Sequence, residues 1–250
     1  MKTEKRMSLI QHLLELRKVL MVSAYAIAAG SIVGWLVSIP MFEFLTHPVA
    51  GLATTKFVTT TITEPITVKL KVSLLAGVII ALPVVAWKIW SFVVPALKKN
   101  ERRFFYVLVP FSILLFLAGA AFAFYVVLPI GIRFLLFVNS GVRYEPLVSQ
   151  SSYLSFILKL LLSFGLGFEL PVAVLIAVRL NIFTPQWLAQ KRKYALIAIV
   201  ALVAFISPTP DIPSQLLMAC PIYLLYEASI WLSYLSVRKR RKALMASLEG

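Results

Sequence analysis

The chain has 250 residues, of which 60% are apolar and only 14% are charged, with a formal net charge of +15. A soluble domain carries about a quarter charged residues, so this composition excludes an ordinary water-soluble protein and indicates one whose solvent is lipid. The charge does not indicate nucleic-acid binding, because 18 of the 25 Lys and Arg residues lie in four clusters between or outside long apolar runs.

Six apolar runs are read as membrane-spanning helices, because backbone groups in lipid must be hydrogen-bonded internally. In chain order the predicted spans are Val19–Ile39, Val72–Leu97, Phe104–Leu128, Tyr153–Val178, Tyr194–Ile206 and Ser214–Val237. The fifth span reaches only about 20 Å against a hydrocarbon core of about 30 Å, so we predict that spans five and six form a short hairpin. The alternative is that these boundaries are misplaced by about one turn.

Basic residues are concentrated at the termini and in every second loop between the predicted spans. The four basic clusters lie within residues 2–18, 98–103, 179–193 and 238–242, whereas the opposite side holds only five Lys and Arg residues. Because cytoplasmic loops carry the positive excess, both termini are predicted to lie in the cytoplasm. The sequence thus predicts one all-α membrane domain over residues 1–250, with an outer cap loop over residues 41–71.

An amphipathic segment precedes the first predicted span. Ser8 and Gln11 fit a capping box, and apolar residues recur at helical spacing after them. We predict an interfacial helix over residues 8–18 on the cytoplasmic side of the membrane. The alternative is an ordinary surface helix in which Glu15 pairs with Lys18.

Several acidic and polar side chains lie in or beside the apolar runs. Glu101, in the second basic cluster, either stabilises the start of the third helix or receives a guanidinium group. Glu169 lies about 15 Å from the cytoplasmic end of span four, so it is either functional or a protonated structural group, and Pro171 beside it predicts a kink. Gln215 and Glu227 in span six either pack internally or dock a partner helix.

No catalytic signature is present in the sequence. It contains no zinc-protease, nucleophile-elbow or phosphate-loop motif, so no enzymatic activity is predicted. The single cysteine, Cys220, and two distant histidines, His12 and His47, predict no disulfide, metal site or cofactor.

Four motifs occur in order between residues 12 and 227. They are HLLELRK at His12–Lys18, WSFVVPAL at Trp90–Leu97 with Glu101-Arg102-Arg103, YLSF at Tyr153–Phe156 with FELPV at Phe168–Val172, and SPTPDIPSQ at Ser207–Gln215 with Tyr226-Glu227. Together they resemble the TatC family, the core membrane subunit of the twin-arginine protein translocase. One departure is Asn100, where several relatives place His before the Glu-Arg-Arg triplet.

The resemblance implies a fold and a function. The fold is a concave, glove-like arrangement of six helices, of which helices five and six are short. The function is recognition of the twin-arginine signal peptides of folded cargo proteins, which are exported across the cytoplasmic membrane at the expense of the proton-motive force. The implied partners are the single-span subunits TatA and TatB, further copies of the same chain, and membrane lipids.

The resemblance also implies roles for individual residues. The signal-peptide site would comprise the carboxylates Glu15 and Glu101, supported by Arg17, Phe92, Arg102 and Arg103. The remaining implied positions are Pro48 in the outer loop, Glu169 in the membrane, and Asp211 and Gln215 where partner helices dock.

Two other functions compete with this interpretation. A secondary transporter or channel would use Glu169 as a proton or ion site, but the sequence shows no internal repeat and only one deep acid in span four. A membrane scaffold or insertase would lack specificity for the arginine pair.

Overall fold

The computed structural model describes residues 9–50, 56–93, 103–137, 147–206 and 212–246. Its elements in chain order are α1 (Leu9–Leu36), α2 (Ser38–Ala50), β1 (Lys56–Val58), α3 (Glu64–Val93), α4 (Arg103–Phe122), a π-helical segment (Ala123–Val127), α5 (Leu128–Phe137), β2 (Leu147–Ser149), α6 (Gln150–Phe168), α7 (Leu170–Arg179), α8 (Pro185–Gln190), α9 (Arg192–Ile206) and α10 (Ile212–Ala246). The predicted all-α class is confirmed. The two three-residue strands, which pair in parallel, are the exception within the described residues.

Five helical stretches of the described chain are long and apolar enough to cross a membrane. They are Ile10–Leu36, Glu64–Val93, Val107–Phe134, Gln150–Arg179 and Gln215–Arg238. They correspond to predicted spans one to four and six, and they confirm a multi-pass helical membrane protein. α9 matches predicted span five and is short as expected, since its 15 residues reach about 22 Å. A sixth crossing and cytoplasmic termini stay predictions.

The first helix differs from its prediction in one respect. The structure does not separate the predicted interfacial helix from the first span, because α1 runs without interruption from Leu9 to Leu36. No proline or glycine precedes Gly30 in α1, so nothing in the backbone stops the helix from propagating. The position of its first turns at the membrane surface stays a prediction.

The segment predicted as an outer cap loop, residues 41–71, is largely helical. It contains most of α2, with Pro48 inside that helix, and the first two turns of α3. α3 begins eight residues before the predicted Val72, and Pro65 in its first turn is compatible with a helix start. The carboxylate of Glu64, which is buried, accepts hydrogen bonds from the backbone N–H and the hydroxyl of Thr60, and so fixes the turn before α3.

The expectation that helix six is short is wrong. α10 has 35 residues and continues beyond the predicted end at Val237. The basic run from Arg238 to Lys242 consists of good helix formers and contains no glycine or proline, so the apolar helix extends into the tail.

The described chain divides into two compact units. One comprises Met1–His47 and Thr59–Ile113, and the other comprises Pro48–Val58 and Leu114–Gly250. A single membrane domain over residues 1–250 stays a prediction.

In the first unit, α1 and α3 pack antiparallel with their backbones in direct contact. A Cβ atom on Gly30 would lie 2.7 Å from the carbonyl oxygen of Gly77, and one on Gly34 would lie 2.6 Å from that of Ser73. A Cβ atom on Gly77 would in turn lie 2.8 Å from the carbonyl oxygen of Ile27. These glycines therefore allow the close helix approach that small residues provide in membranes.

In the second unit, the end of α4 packs against α6 in a similar way. A Cβ atom on Gly165 would lie 2.7 Å from the ring of Phe116, and one on Gly119 would meet the backbone of Phe164. α6 ends at Phe168 and α7 begins at Leu170, with Pro171 in the first turn of α7. The interruption predicted beside Pro171 is therefore present, because proline supplies no N–H to continue the α6 hydrogen bonds.

We predict that Gly77→Ala lowers the free energy of unfolding by about 1–3 kcal/mol, because its methyl group meets the Ser31 hydroxyl and also the α1 backbone at Ser31 and Ile27, which cannot move aside. Gly131→Ala is the matched control, since its methyl group would lie 3.5 Å from Leu217, an ordinary contact. Unfolding in detergent measures both variants. Equal stabilities of the two variants would contradict the close backbone contact.

Candidate functional site

A small polar pocket lies between α1 and α3 near the start of α1 and the end of α3. Its volume is about 180 Å³. Its lining residues are Glu15, Lys18, Val19, Lys88, Ser91 and Phe92. The three positions on each helix follow an i, i+3, i+4 pattern, so each set shares one helix face. The pocket therefore results from the same antiparallel register that brings Gly30 to Gly77.

The Glu15 carboxylate is the main acceptor in this pocket. Its Oε2 atom is buried and has no hydrogen-bond partner within the described chain. A buried acceptor without a partner costs about 1–3 kcal/mol, more when it is charged. The site is thus arranged to gain free energy when a donor is brought to Glu15.

An aromatic ring lies beside this carboxylate. The rings of Phe92 and His12 are stacked, with centroids 4.2 Å apart and an interplanar angle of 17°. His12 lies one turn before Glu15 on α1, so the stack joins the two helices next to the pocket. A planar guanidinium group can pack on an aromatic face while it donates to a carboxylate, which an ammonium group does less well.

The C-terminal end of α3 is also held by a buried hydrogen bond. The indole Nε1–H of Trp90 donates to the hydroxyl of Ser112 on α4, at 2.9 Å, and Trp90 is 7% exposed. Because Trp90 lies between Lys88 and Phe92 on α3, this bond helps to fix the helix that provides half of the pocket.

The predicted site residues are only partly placed. Glu15 and Phe92 line one pocket, whereas Arg17 is exposed and does not line it. Glu101 and Arg102 lie outside the described residues, and for Arg103 the structure describes only the backbone at the start of α4. The functional roles of all these residues stay predictions.

Sequence reasoning gave no site role to five residues at the pocket. Four of them line it, Lys18, Val19, Lys88 and Ser91, and the fifth, His12, stacks its ring on Phe92. These residues come together through the antiparallel register, in which the residue numbers of facing positions on α1 and α3 add to a nearly constant value. That register is visible only after the glycine contacts are known.

The family model described as "TatC: Sec-independent protein translocase protein (TatC)" matches residues 11–221 of this chain. The chain belongs to the TatC family. Membership confirms the predicted role in protein translocation, and it agrees with the prediction that the chain is not an enzyme. It gives no support to the competing transporter or channel.

Several TatC relatives align over nearly their whole length. The Sec-independent protein translocase protein TatC of Carboxydothermus hydrogenoformans is 43% identical over 230 residues, covering 92% of this chain and 94% of that protein. TatC of Aquifex aeolicus is 39% identical over 238 residues, which cover 94% of this chain and 98% of that protein. TatCy of Bacillus subtilis is 33% identical over 240 residues, which cover 95% of this chain and 93% of that protein.

The fold also matches solved structures. A crystal structure of the twin-arginine translocase receptor TatC superposes with a TM-score of 0.83 at 38% identity, covering 90% of this chain and 99% of that one. A second crystal structure of the receptor, in DDM, gives a TM-score of 0.82 at 39% identity and covers 89% of this chain and 99% of that one. The predicted fold class is therefore that of TatC.

The remaining predicted positions of this TatC chain lie mostly in the second unit. Glu169 is half-buried in the break between α6 and α7, and its side chain does not cap α7. Gln215 is half-buried near the start of α10, and Pro48 lies in the last turn of α2. Asp211 lies outside the described residues.

An ion pair fixes the register of the α9–α10 hairpin. Arg192 donates to both carboxylate oxygens of Glu227, from Nε at 2.7 Å and from Nη2 at 3.0 Å, and Tyr223 donates to the same group at 3.0 Å. The bond with Glu227 raises the pKa of Arg192 above its usual range. Of the two interpretations of Glu227, the structure thus supports internal packing, since the fork of Arg192 already occupies its acceptors.

We predict that Ser112→Ala lowers the free energy of unfolding by about 1–3 kcal/mol, because it leaves the buried indole N–H of Trp90 without an acceptor. Ser91→Ala is the matched control, since the Ser91 hydroxyl donates only to the Lys88 carbonyl of its own helix, at 2.8 Å. Denaturant unfolding in detergent compares the two variants. Equal losses would mean that the Trp90–Ser112 bond does not hold α3.

Proposed function

We propose that this TatC chain is the receptor for twin-arginine signal peptides and the core subunit of the translocase that exports folded proteins. The observation that carries the proposal is the pocket between α1 and α3, in which a carboxylate oxygen of Glu15 is buried beside the ring of Phe92 and has no hydrogen-bond partner among the described residues. The resemblance of the surrounding motifs to those of the family supports the same role.

The chemistry of the pocket favours a guanidinium group over an ammonium group. A guanidinium donates two parallel hydrogen bonds to a carboxylate and stacks on an aromatic face, whereas an ammonium acts as a compact point charge. Lys18 and Lys88 also line the pocket and repel other cations. A ligand must therefore overcome this repulsion through directed contacts with Glu15 and Phe92, which favours arginine.

The second arginine of the pair requires a second acceptor, and we assign it to Glu101 on the family resemblance. On the same resemblance, Arg17, Arg102 and Arg103 would support the site formed by the two carboxylates. Two charge-assisted contacts, at about 1.5–3 kcal/mol each, are enough to separate a twin-arginine peptide from a twin-lysine one.

The wider assembly follows from the same resemblance. We propose that TatA and TatB dock near Asp211 and Gln215, that Pro48 acts in assembly on the outer side, and that Glu169 serves as an intramembrane polar site during export driven by the proton-motive force. Further copies of the chain would join the same complex. The four basic clusters support a location in the cytoplasmic membrane with both termini inside.

We predict that Glu15→Gln weakens binding of a twin-arginine signal peptide by about 10- to 100-fold, because the neutral amide loses a charge-assisted bond. Binding of a twin-lysine peptide is expected to change little, so the ratio of the two affinities falls. Fluorescence anisotropy of labelled peptides with the detergent-solubilised chain measures both affinities.

Glu43→Gln is the control for this experiment, because Glu43 is an exposed carboxylate of α2 outside the pocket. It removes the same charge and is expected to leave both affinities unchanged. If Glu15→Gln and Glu43→Gln have the same effect, the recognition is a general charge effect and the proposed role of Glu15 is wrong.

A further inference from the structure

A second, larger cavity lies between α1 and α3 at the opposite end of the helix pair, where α1 ends and α3 begins. Its volume is about 570 Å³, within the range of ligand sites. Its walls are exposed apolar side chains of both helices, including Ile32 and Leu36 of α1 and Leu70 and Leu74 of α3. All of these residues belong to the first unit, and the groove shares no lining residue with the proposed signal-peptide pocket.

The floor of the groove is formed by small residues whose polar atoms are already satisfied. Ser31 donates to the carbonyl of Ile27 at 2.8 Å, and Ser73 donates to the carbonyl of Lys69 at 2.7 Å. Because both hydroxyls are hydrogen-bonded within their own helices, they need no hydrogen-bond partner from a ligand. The groove can therefore accept a purely apolar chain without leaving a polar group unpaired.

The ammonium group of Lys69 lies at one end of this apolar groove. The Nζ atom of Lys69 lies 4.3 Å from the ring centroid of Trp35, which is itself part of the groove wall. Within the described residues, Lys69 forms no ion pair with a carboxylate. Trp and Lys side chains are typical of the level at which lipid headgroups meet the hydrocarbon. The ammonium group is thus available to an anion at that level.

Together these features match an amphiphile better than a partner helix. A purely apolar helix would fill the space between the walls but would leave the Lys69 ammonium without a counter-charge. An anionic phospholipid supplies a phosphate for Lys69 and an acyl chain for the groove. From Ser31 to Leu36 the groove extends about 7.5 Å along α1, so it takes the part of the chain next to the glycerol.

We propose that this groove binds one anionic phospholipid. Its phosphate contacts Lys69 above the Trp35 ring, and the upper part of one acyl chain lies over Ser31 and Ser73 between the apolar walls. A bound lipid would cover residues of α1 that are otherwise widely exposed, such as Ile32 at 74% and Leu36 at 80%. The site requires both the headgroup charge and the chain, so free phosphate does not replace the lipid.

Native mass spectrometry of the full chain, released from detergent, tests the headgroup contact. The probes are palmitoyl-oleoyl phosphatidylglycerol and the phosphatidylcholine with the same acyl chains. Lys69→Gln is expected to weaken the first phosphatidylglycerol site by about fivefold and the first phosphatidylcholine site less, because the choline cation already neutralises that phosphate. Lys71→Gln is the matched control, because its loss removes the same charge from α3, whereas it is Lys69 that lies over the Trp35 ring of the groove wall.

Leu74→Trp tests the chain contact, because the larger side chain obstructs the groove from its exposed wall. It is expected to weaken the first site for both lipids. Ile66→Trp is expected not to, because Ile66 is an exposed residue of α3 outside the groove. Glycerophosphate without acyl chains is expected not to compete.

Three results would overturn the proposal. The first is equal weakening by Lys69→Gln and Lys71→Gln, which would show a general charge effect. The second is equal behaviour of Leu74→Trp and Ile66→Trp, which would show that lipid binds elsewhere. The third is a wild-type dimer that dissociates on Leu74→Trp without any dependence on phosphatidylglycerol, which would show that a second copy of the chain fills the groove.

Discussion

The close contact of the α1 and α3 backbones determines most of what the first unit can do. Gly30, Gly34 and Gly77 leave no room for a Cβ atom, so the two helices meet along one fixed antiparallel register. That register places Glu15 opposite Phe92 near one end and Trp35 beside Lys69 near the other. A sliding of one turn would separate both pairs, and small residues at the crossing make such sliding costly because interdigitated backbones must first come apart.

Apolar runs predicted the fold well because a bilayer imposes a simple rule on sequence. A long apolar run must be a helix, so the predicted spans fall on α1, α3, the α4–α5 stretch, α6–α7, α9 and α10. Hydropathy locates the lipid-embedded part of a helix but not its ends. α10 therefore continues past Val237 through good helix formers, and α3 starts before Val72 at a turn fixed by Glu64, which no apolar pattern marks.

The candidate site was predictable only in part, for a physical reason. The motif around Glu15 and the motif around Phe92 could each be recognised locally, and the family resemblance linked them. The part played by Lys88 and His12 depends on which residues face each other across two helices, and that is decided by the glycine contacts. Likewise the forked bond of Arg192 to Glu227 joins positions 35 residues apart, so neither residue's neighbours in sequence reveal it.

The charge of the chain raises a question about the proposed receptor, since a protein of net charge +15 would recruit a peptide with two adjacent arginines. Long-range repulsion between exposed charges is largely screened beyond a Debye length of about 8 Å at physiological ionic strength. The buried oxygen of Glu15 is screened far less, so at contact distance its attraction for a guanidinium group exceeds the repulsion from exposed cations outside the pocket. The Lys residues around the pocket then disfavour cations that make no directed hydrogen bonds. Basic loops that orient a membrane protein are therefore compatible with recognition of a basic signal peptide.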